Sequence, residues 1–343
     1  YGNTALPYTH DNSFINCYIT DFYYYCLYSY YAKNLTFKGC RFDQWTRTTL
    51  TTIYFMYAYY AQGFLFDSNL ITGMYNANQT YAGTFYGFYY LGYANPAPQG
   101  TNRNKIVNNI IRDFNTQATI YMFMYNYYGD IDYIHNTISF DQTATTSAAT
   151  YVWYYGYGGN PNYVNNWYNN IVTCRRAGTG QAYFYYFGGT VSYININYNV
   201  YYSNNTSGWF WYGSSSVATF TAWQSQGFDA QGYFADPMYL NLTNGDLHPT
   251  NNALDNLGTP LGVVFDNSGA VRNPTNPDFG ALEFNTPLCI GSPSNNSISG
   301  GNYLLCPGQS ATLSVGNLLG VTASGISYQW QSSTTSSVGP FTS

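Results

Sequence analysis

Short aromatic segments without charged residues recur between residues 23 and 189. YFMYAYY at 54–60 and YVWYYGYG at 151–158 are two of the six segments, and a short polar stretch that ends in an apolar residue, such as HNTI at 135–138, alternates with them. Tyr, Phe, Ile, Val and Thr favour strands, whereas Gly, Asn and Asp favour turns. The pattern therefore predicts a repeat of short β-strands and excludes a helical solenoid.

One polar position in each repeat gives the period. The markers are Cys17, Cys40, Asn69, Asn109, Asn136, Asn170 and Asn199. Their intervals of 23, 29, 40, 27, 34 and 29 residues combine a fixed core with loops of variable length, which is typical of a solenoid. We therefore predict an all-β fold, a right-handed parallel β-helix.

The predicted coils bring equivalent residues into register about 4.8 Å apart. At that spacing the repeated Asn side chains would form an amide ladder along one line, in which Cys17 and Cys40 are adjacent rungs. The expected ladder asparagines are Asn69, Asn109, Asn136 and Asn170. Stacked positions do not by themselves provide disulfide geometry, so a bond between Cys17 and Cys40 is left open.

Tyrosine rings that recur once per coil would also stack on one another. Successive side chains of a strand point to opposite faces, so we expect about two tyrosines per coil on the outside. We assign Tyr89, Tyr125 and Tyr155 to this outer wall. Because a large exposed aromatic patch usually marks an interface, we expect the wall to contact other copies or a glycan-covered surface.

Composition and charge restrict the partners and the compartment. Charged residues make up 7% of the 343 residues, 42 residues are Tyr, and the formal net charge is −5. The sequence has no basic stripe for nucleic acid and no apolar run of about 18 residues for a membrane-spanning helix. Sparse charge with abundant Asn, Thr and Tyr indicates an extracellular protein. A start at Tyr1 without a signal-peptide pattern fits a processed or internal piece of a longer protein.

Candidate catalytic groups are few. Glycoside hydrolysis needs two carboxyl groups across the sugar, and lyases need a positioned base. The chain has one Glu and three Lys, and most of its charged residues occur singly. Asp130 and Asp132 could bind a cation, but solvated turn residues are the favoured interpretation. We therefore expect no cleavage of polysaccharides, no cofactor and no metal.

Two further clusters have competing interpretations. Trp209, Trp211, Tyr212 and Trp223 could form a platform for sugar stacking, but a cap over the last coil is favoured. The charged block that ends at Glu283 is expected to be an ion-pair clasp where the last coil meets the next domain. Its members are Asp266, Arg272, Asp278 and Glu283.

Four segments that follow residue 100 carry a family resemblance, together with the charged block. They are 132–158, 197–203, 222–240 and 246–284, and the last contains the spacing of Asp266, Arg272, Asp278, Gly280 and Glu283. This part of the chain resembles secreted bacterial right-handed parallel β-helix proteins, the pectate-lyase-like solenoids. Residues 289–333, with YQWQ around Trp330, resemble the start of an immunoglobulin-like module that follows such β-helices in cargo of the type IX secretion pathway. The resemblance implies a Cys289–Cys306 disulfide formed in an oxidising compartment.

The expected organisation has three parts: β-helix coils at 1–203, a C-terminal capping region at 204–286 and a partial immunoglobulin-like domain at 287–343. We expect an extracellular structural or adhesive module of a large bacterial surface or filament protein, which self-associates or contacts other surface modules through its tyrosines. A noncatalytic glycan-binding β-helix is the alternative, and a polysaccharide lyase or glycosidase is a weaker one. An aromatic groove without paired acids would favour glycan binding, whereas a continuous outer Tyr face would favour assembly.

Overall fold

The computed structural model describes most of the chain up to Asn285. The described residues are 9–59, 61–91, 103–125, 130–141, 146–155, 164–189, 191–204, 209–285, 298–299 and 314–315. Almost all regular structure in them is β, and the strands stack into three long sheets. The predicted parallel β-helix is confirmed. In this part of the chain, no helix has the length and apolar character needed to span a membrane.

Each coil contributes one strand to each of the three sheets in turn. Sheet 1 contains Ser13–Ile15, Thr36–Lys38, Leu65–Asp67, Asn104–Val107, Ile131–Ile134, Asn165–Tyr168 and Ile194–Asn197. Sheet 2 contains Tyr18–Thr20, Arg41–Asp43, Leu70–Thr72, Ile110–Ile111, Thr137–Ser139, Ile171–Cys174, Val200–Ser203 and Tyr233–Phe234. Sheet 3 contains Tyr25–Tyr30, Ile53–Tyr59, Thr84–Leu91, Thr119–Tyr125, Thr150–Tyr155, Ala182–Phe187, Phe210–Tyr212 and Ser215–Val217.

Neighbouring strands are parallel except at one end of sheet 3. There Ser215–Val217 pairs antiparallel with Phe210–Tyr212. Two short pairs lie outside the three sheets: Thr9–His10 with Ala32–Lys33, which is parallel, and Ile298–Ser299 with Ser314–Val315, which is antiparallel. The three long sheets therefore define the column.

A two-residue corner joins sheet 1 to sheet 2 in every coil. Its first residue has a left-handed backbone, with φ of 58° at Asn108, 54° at His135 and 56° at Asn169. Asn tolerates this conformation better than most residues do. The second residue is the marker, and Asn109 and Asn136 at this position are fully buried. Each corner is therefore formed by two consecutive residues, the left-handed residue and the marker that follows it.

Inward side chains fill the coils with aromatic rings. The ring centroids of Phe42, Phe55 and Phe66 lie 5.1 to 5.9 Å from one another. Further along the column, Trp153 and Trp167 stack at 5.2 Å. All five rings are buried, and burying such a side chain stabilises the fold by about 1.5–3 kcal/mol. Aromatic residues thus take the place of aliphatic filling.

The C-terminal end of the column is covered by residues 209–234. The helix Phe220–Ser225 begins after Thr219, whose side chain accepts a hydrogen bond from the Ala222 backbone N–H. This helix places the fully buried Trp223 on the last coil, where its ring stacks 4.6 Å from that of Phe210. The segment therefore seals the apolar end of the solenoid.

Residues 236–285 return along the side of the coils, and we call them the strap. The strap contains two short 3-10 helices, Leu242–Asn244 and Asn252–Leu254. The Gly280 N–H donates to the Asn169 carbonyl oxygen at 2.7 Å. The Asn267 side chain donates to the Asn108 carbonyl oxygen at 2.8 Å. The strap therefore rests on the corner residues of several coils.

Candidate functional site: a stacked tyrosine face

Sheet 3 turns two residues near the middle of each long strand toward the outside, and its first two strands turn a third, Tyr30 and Tyr59, whose rings stack at 5.1 Å. In Ile53–Tyr59 the two middle residues are Tyr54 and Tyr57, while Phe55 and Met56 between them are both buried. The middle outward residues are thus three positions apart, whereas regular strand alternation would place them two apart. Strand pairing keeps the equivalent positions of successive coils in register.

The middle outward residues form two columns, which we together call the tyrosine face. Column 1 contains Tyr25, Tyr54, Tyr86, Tyr121, Tyr151 and Tyr183. Column 2 contains Tyr28, Tyr57, Tyr89, Met124, Tyr154, Tyr186 and Trp211. The described strands of sheet 3 contain no Asp, Glu, Lys or Arg. The face is therefore a regular, uncharged aromatic surface.

One coil needs a glycine to fit this arrangement. A Cβ atom at Gly87 would lie 2.2 Å from the Met122 carbonyl oxygen of the next coil. Glycine removes this clash, and the adjacent Phe88 supplies the buried ring in that coil. The spacing between the two strands therefore depends on the missing side chain.

Rings within a column stack face to face. In column 1, the centroids of Tyr121 and Tyr151 are 4.6 Å apart and their planes are inclined by 4°. In column 2, Tyr154 and Tyr186 are 5.1 Å apart with an inclination of 6°. These distances match the coil spacing of about 4.8 Å. Each such pair contributes about 0.5–1.5 kcal/mol beyond burial alone.

Rings of the two columns meet edge to face. The centroids of Tyr86 and Tyr89 are 5.4 Å apart with planes at 72°, and those of Tyr151 and Tyr154 are 5.5 Å apart at 86°. Rings that repeat every 4.8 Å or so must tilt to bring facing carbons within about 3.5–4.0 Å. The two columns therefore tilt in opposite directions. Ring faces cover one another, and ring edges with their hydroxyl groups point outward.

The surroundings keep these phenols neutral. Burial raises the pKa of Tyr54, and the nearby Tyr24 phenol adds to the shift. Burial and the neighbouring Tyr121 raise the pKa of Tyr151 to about 12. These two phenols therefore carry no charge at neutral pH, and each hydroxyl group can donate and accept hydrogen bonds.

The three tyrosines predicted for the outer wall do not share one surface. Tyr89 belongs to column 2, but Tyr155 is 5% exposed, so its assignment to the wall is wrong. Tyr125 has the backbone register of Tyr155 and of the buried Tyr90, and its side chain lies outside the described part of the structure. The error arises because two consecutive inward residues reverse the alternation in the second half of each strand.

The marker asparagines form a hydrogen-bonded ladder inside the corners. The Asn109 side chain donates to Asn136 Oδ1 at 2.9 Å, and the Asn136 side chain donates to Asn170 Oδ1 at 3.0 Å. The same Oδ1 of Asn136 accepts the backbone N–H of Asn109 at 3.0 Å. Asn69 and Asn199 continue the pattern at the two ends. The prediction that the markers lie on one line is confirmed.

Cysteines occupy the first two rungs of the ladder. The Cys17 backbone N–H donates to Cys40 Sγ at 3.3 Å, and that thiol donates to the Phe14 carbonyl oxygen at 3.3 Å. The Cys40 backbone N–H donates to Asn69 Oδ1 at 2.8 Å. The Cys40 thiol thus accepts and donates as an Asn side chain would, and Cys17 and Cys40 are both free thiols.

The ladder ends at Asp229, a residue that was not among the predicted rungs. Asn199 Nδ2 donates to Asp229 Oδ1 at 2.9 Å, and Tyr201 and Trp223 donate to its Oδ2 at 2.9 and 3.1 Å. In each amide–amide bond of the ladder the donor lies on the side away from Asp229 and the acceptor on the side toward it, so a carboxylate suits the positive end of the aligned amide dipoles. Burial outweighs these bonds and raises the pKa of Asp229 to about 6. A signal was present, because Asp229 follows Asn199 by 30 residues, an interval within the range of the others.

The predicted charged clasp ties the strap to the side of the column. Arg272 is 3% exposed, forms an ion pair with Glu283 at 2.7 Å and donates to Asn108 Oδ1 at 2.8 Å. The Asp266 and Asp278 carboxylates accept backbone N–H groups within the strap. The clasp therefore lies beside the fourth coil, and the predicted position at the last coil is wrong.

The aromatic residues after the last full coil divide between the face and the cap. Trp211 stacks on Tyr186 at 5.5 Å and continues column 2. Trp209 and Tyr212 instead contact rings of the cap at 4.2 and 5.6 Å. These three residues therefore do not form one flat platform.

The candidate catalytic and metal-binding residues make internal bonds. Arg103 contacts Asp130 at 3.2 Å and Asp132 at 2.6 Å, so this pair of acids already has a cationic partner. In the described ranges, no group of three or more His, Cys, Asp or Glu residues is placed to hold a metal ion. Cys289, Cys306 and most of the expected immunoglobulin-like domain lie outside the described residues.

No protein-family model, curated protein or solved structure matches the chain. Function is therefore inferred from the geometry of the chain itself. Within the described residues, the tyrosine face is a regular, uncharged aromatic surface that continues from coil to coil along the column. We therefore take it as the candidate functional site.

Proposed function

We propose that the chain is a structural or adhesive module of a large secreted bacterial surface or filament protein. In this role the β-helix is a stiff rod outside the cell, and its tyrosine face contacts a second copy. The supporting observation is the uncharged aromatic surface from Tyr25 to Tyr183, which column 1 extends over six coils.

Charge favours a second copy as the occupant of the tyrosine face. The net charge of −5 gives a weak mutual repulsion between copies at other surfaces. The described strands of sheet 3 have no charged residue, so two such faces meet without like-charge repulsion. Their outward hydroxyl groups can pair with the same groups of a second copy, since each one donates and accepts.

The size of the face predicts a weak contact for each pair of copies. Column 2 spans about 29 Å, and the two columns present roughly 350 Å² per copy. Two faces would bury about 700 Å², which is below the roughly 1,200–2,000 Å² of stable interfaces. Repeated modules along a filament or a cell surface would turn this weak contact into strong avidity.

Ring orientation disfavours the glycan-binding alternative. A sugar ring stacks on an open aromatic face, whereas neighbouring rings such as Tyr121 and Tyr151 cover one another within a column. Open faces remain at the column ends, as at Tyr28, which is 58% exposed. For sugars to stack along the whole face, the neighbouring rings within each column would have to separate.

Association of the chain, linked as a tandem repeat to raise avidity, tests the proposal. The face variant combines Tyr57→Ser, Tyr89→Ser and Tyr154→Ser. The control combines Tyr193→Ser, Leu240→Ser and Val271→Ser, at residues that are 45%, 63% and 69% exposed outside the face. In sedimentation equilibrium we expect the face variant, but not the control, to associate more weakly than the parent. Circular dichroism should show the β-sheet signal of the parent in both variants.

Equal association of the face variant and the parent would refute the proposal. Binding of the parent to insoluble polysaccharides, lost in the face variant and kept in the control, would instead support the glycan alternative. Reproducible sugar cleavage abolished by changing one acid would overturn both.

A further inference from the structure

We infer that the tyrosine face is a site of oxidative tyrosine coupling, at which a peroxide-dependent oxidant joins two copies of the chain through dityrosine. The inference rests on the proposed function, because two copies must first meet through this face. It adds a covalent step to a contact that is too small for tight binding by itself.

The chemistry needs hydrogen peroxide and a haem peroxidase as the oxidising system. Each of two phenols loses one electron and one proton and becomes a phenoxyl radical. The radicals form one carbon–carbon bond between positions ortho to the hydroxyl groups, and the two ring hydrogens move to the oxygens to restore both phenols. One peroxide accepts the two electrons and two protons and is reduced to two molecules of water.

Ring geometry directs this bond between copies and away from neighbours in a column. A biaryl bond joins two ring edges, but Tyr28 and Tyr57 overlap face to face at 5.4 Å with planes inclined by 5°. Between columns, the edge of one ring points at the face of another, as in Tyr25 and Tyr57 at 74°. The outward edge of Tyr28, which is 58% exposed, can therefore meet the edge of a ring in a second copy.

Exposure identifies the first described coil as the starting point. Tyr28 is 58% exposed and Tyr25 is 38% exposed, whereas the equivalent rings of later coils are half-buried. Tyr133, Tyr185 and Tyr201 are at most 2% exposed, which shields them from a bulky peroxidase. Coupling is therefore expected at Tyr28 and Tyr25 before any other tyrosine of the face.

Tyr→Phe substitution separates coupling from association, because Phe keeps the ring and removes the phenol. In this experiment the face variant is a different one, which combines Tyr25→Phe, Tyr28→Phe and Tyr57→Phe. The control combines Tyr18→Phe, Tyr193→Phe and Tyr233→Phe, at residues that are 62%, 45% and 37% exposed outside the face. Each full chain is treated with peroxidase and peroxide as a mixture of isotopically heavy and light copies.

We expect covalent dimers with dityrosine fluorescence, and linked heavy–light peptides that contain Tyr28 or Tyr25. The dimer yield should fall below half in the face variant and stay unchanged in the control. Links confined to single chains, links mainly at Tyr193, or an unchanged yield in the face variant would overturn the inference.

Sedimentation of the parent and its variants as tandem repeats, before oxidation, separates the two claims, because the contact between single copies is weak. If the parent associates but forms no links at the face, coupling is refuted and the proposed function stands. If the parent does not associate before oxidation, the proposed function fails and the inference fails with it.

Discussion

Replacement of Asn136 by Ala should be among the most damaging single changes in the described coils. Asn136 Oδ1 accepts two hydrogen bonds from Asn109, and its Nδ2 donates to Asn170 Oδ1 and to the Ile106 carbonyl oxygen at 2.8 Å. Ala removes all four bonds from a fully buried site. The variant keeps the backbone hydrogen bonds of the corner, but the side chains of Asn109 and Asn170 are no longer connected through Asn136.

The cost follows from these bonds. Each buried hydrogen bond has a net value of about 1 kcal/mol, and an unpaired buried donor costs about 1–3 kcal/mol more. The unpaired donors here are the Asn109 backbone N–H and one N–H of the Asn109 side chain. With partial relaxation of the neighbouring rungs, we expect Asn136→Ala to lower the free energy of unfolding by about 4–6 kcal/mol.

Urea unfolding followed by circular dichroism measures this loss, and hydrogen exchange at the Asn109 amide locates it. The matched control is Asn195→Ala, since the exposed Asn195 side chain makes one bond to Asn166 at 2.9 Å. The control should change stability by no more than about 0.5 kcal/mol. A loss below about 1 kcal/mol for Asn136→Ala, or unchanged exchange at Asn109, would show that the ladder does not hold the coils together.

Three further predictions address the end cap, the strap and the strand spacing. Burial raises the pKa of Asp229 to about 6, above its unfolded value of 3.8. The folded chain therefore binds this proton more tightly, and stability should fall by about 3 kcal/mol as the pH rises from about 4 to 6. Asp229→Asn should remove this contribution in urea titrations, while the buried Asp278, whose pKa burial raises to about 7, still gives a slope at similar pH. A slope equal to that of the parent would contradict the assignment. Arg272→Met leaves Glu283 without its cation, so we expect a loss of about 3–5 kcal/mol and faster limited proteolysis of the strap, whereas an intact strap would contradict the clasp. Gly87→Ala should cost about 1–3 kcal/mol in thermal unfolding, while Gly189→Ala, which has open space, serves as the control. Equal effects of the two changes would refute the spacing argument.

The β-helix and its ladder could be predicted because one residue per coil carries the signal. Asn136 and Asn170 follow a left-handed corner residue, and their spacing in the sequence is the length of one coil. The end of the ladder was harder to find, since Asp229 replaces the amide with a carboxylate. The strap could not be predicted from local patterns, because Arg272 contacts Asn108 across 164 positions of the chain.

The orientation of the tyrosines could be predicted only in part. Simple alternation from the outward Tyr151 assigns Tyr155 to the outside, but the structure turns Tyr155 inward. Two successive inward residues, Val152 and Trp153, fill the core at the bend of the strand. The space available in the core determines whether two successive side chains can point inward. The sequence of one strand does not show how much of that space the neighbouring coils fill.

Stacking inside the chain and association between chains make different demands on an outer tyrosine. The buried rings and the ladder already hold the column, so the outer positions could be Thr, which also favours strands. Stacked rings add about 0.5–1.5 kcal/mol per pair, a gain that Phe would supply as well as Tyr does. The hydroxyl group is therefore what distinguishes tyrosine at Tyr54, Tyr86 and Tyr151. Because these hydroxyl groups point outward, their hydrogen bonds are available to a partner. This is the reason that the composition of the face favours contact with another surface over coil stability alone.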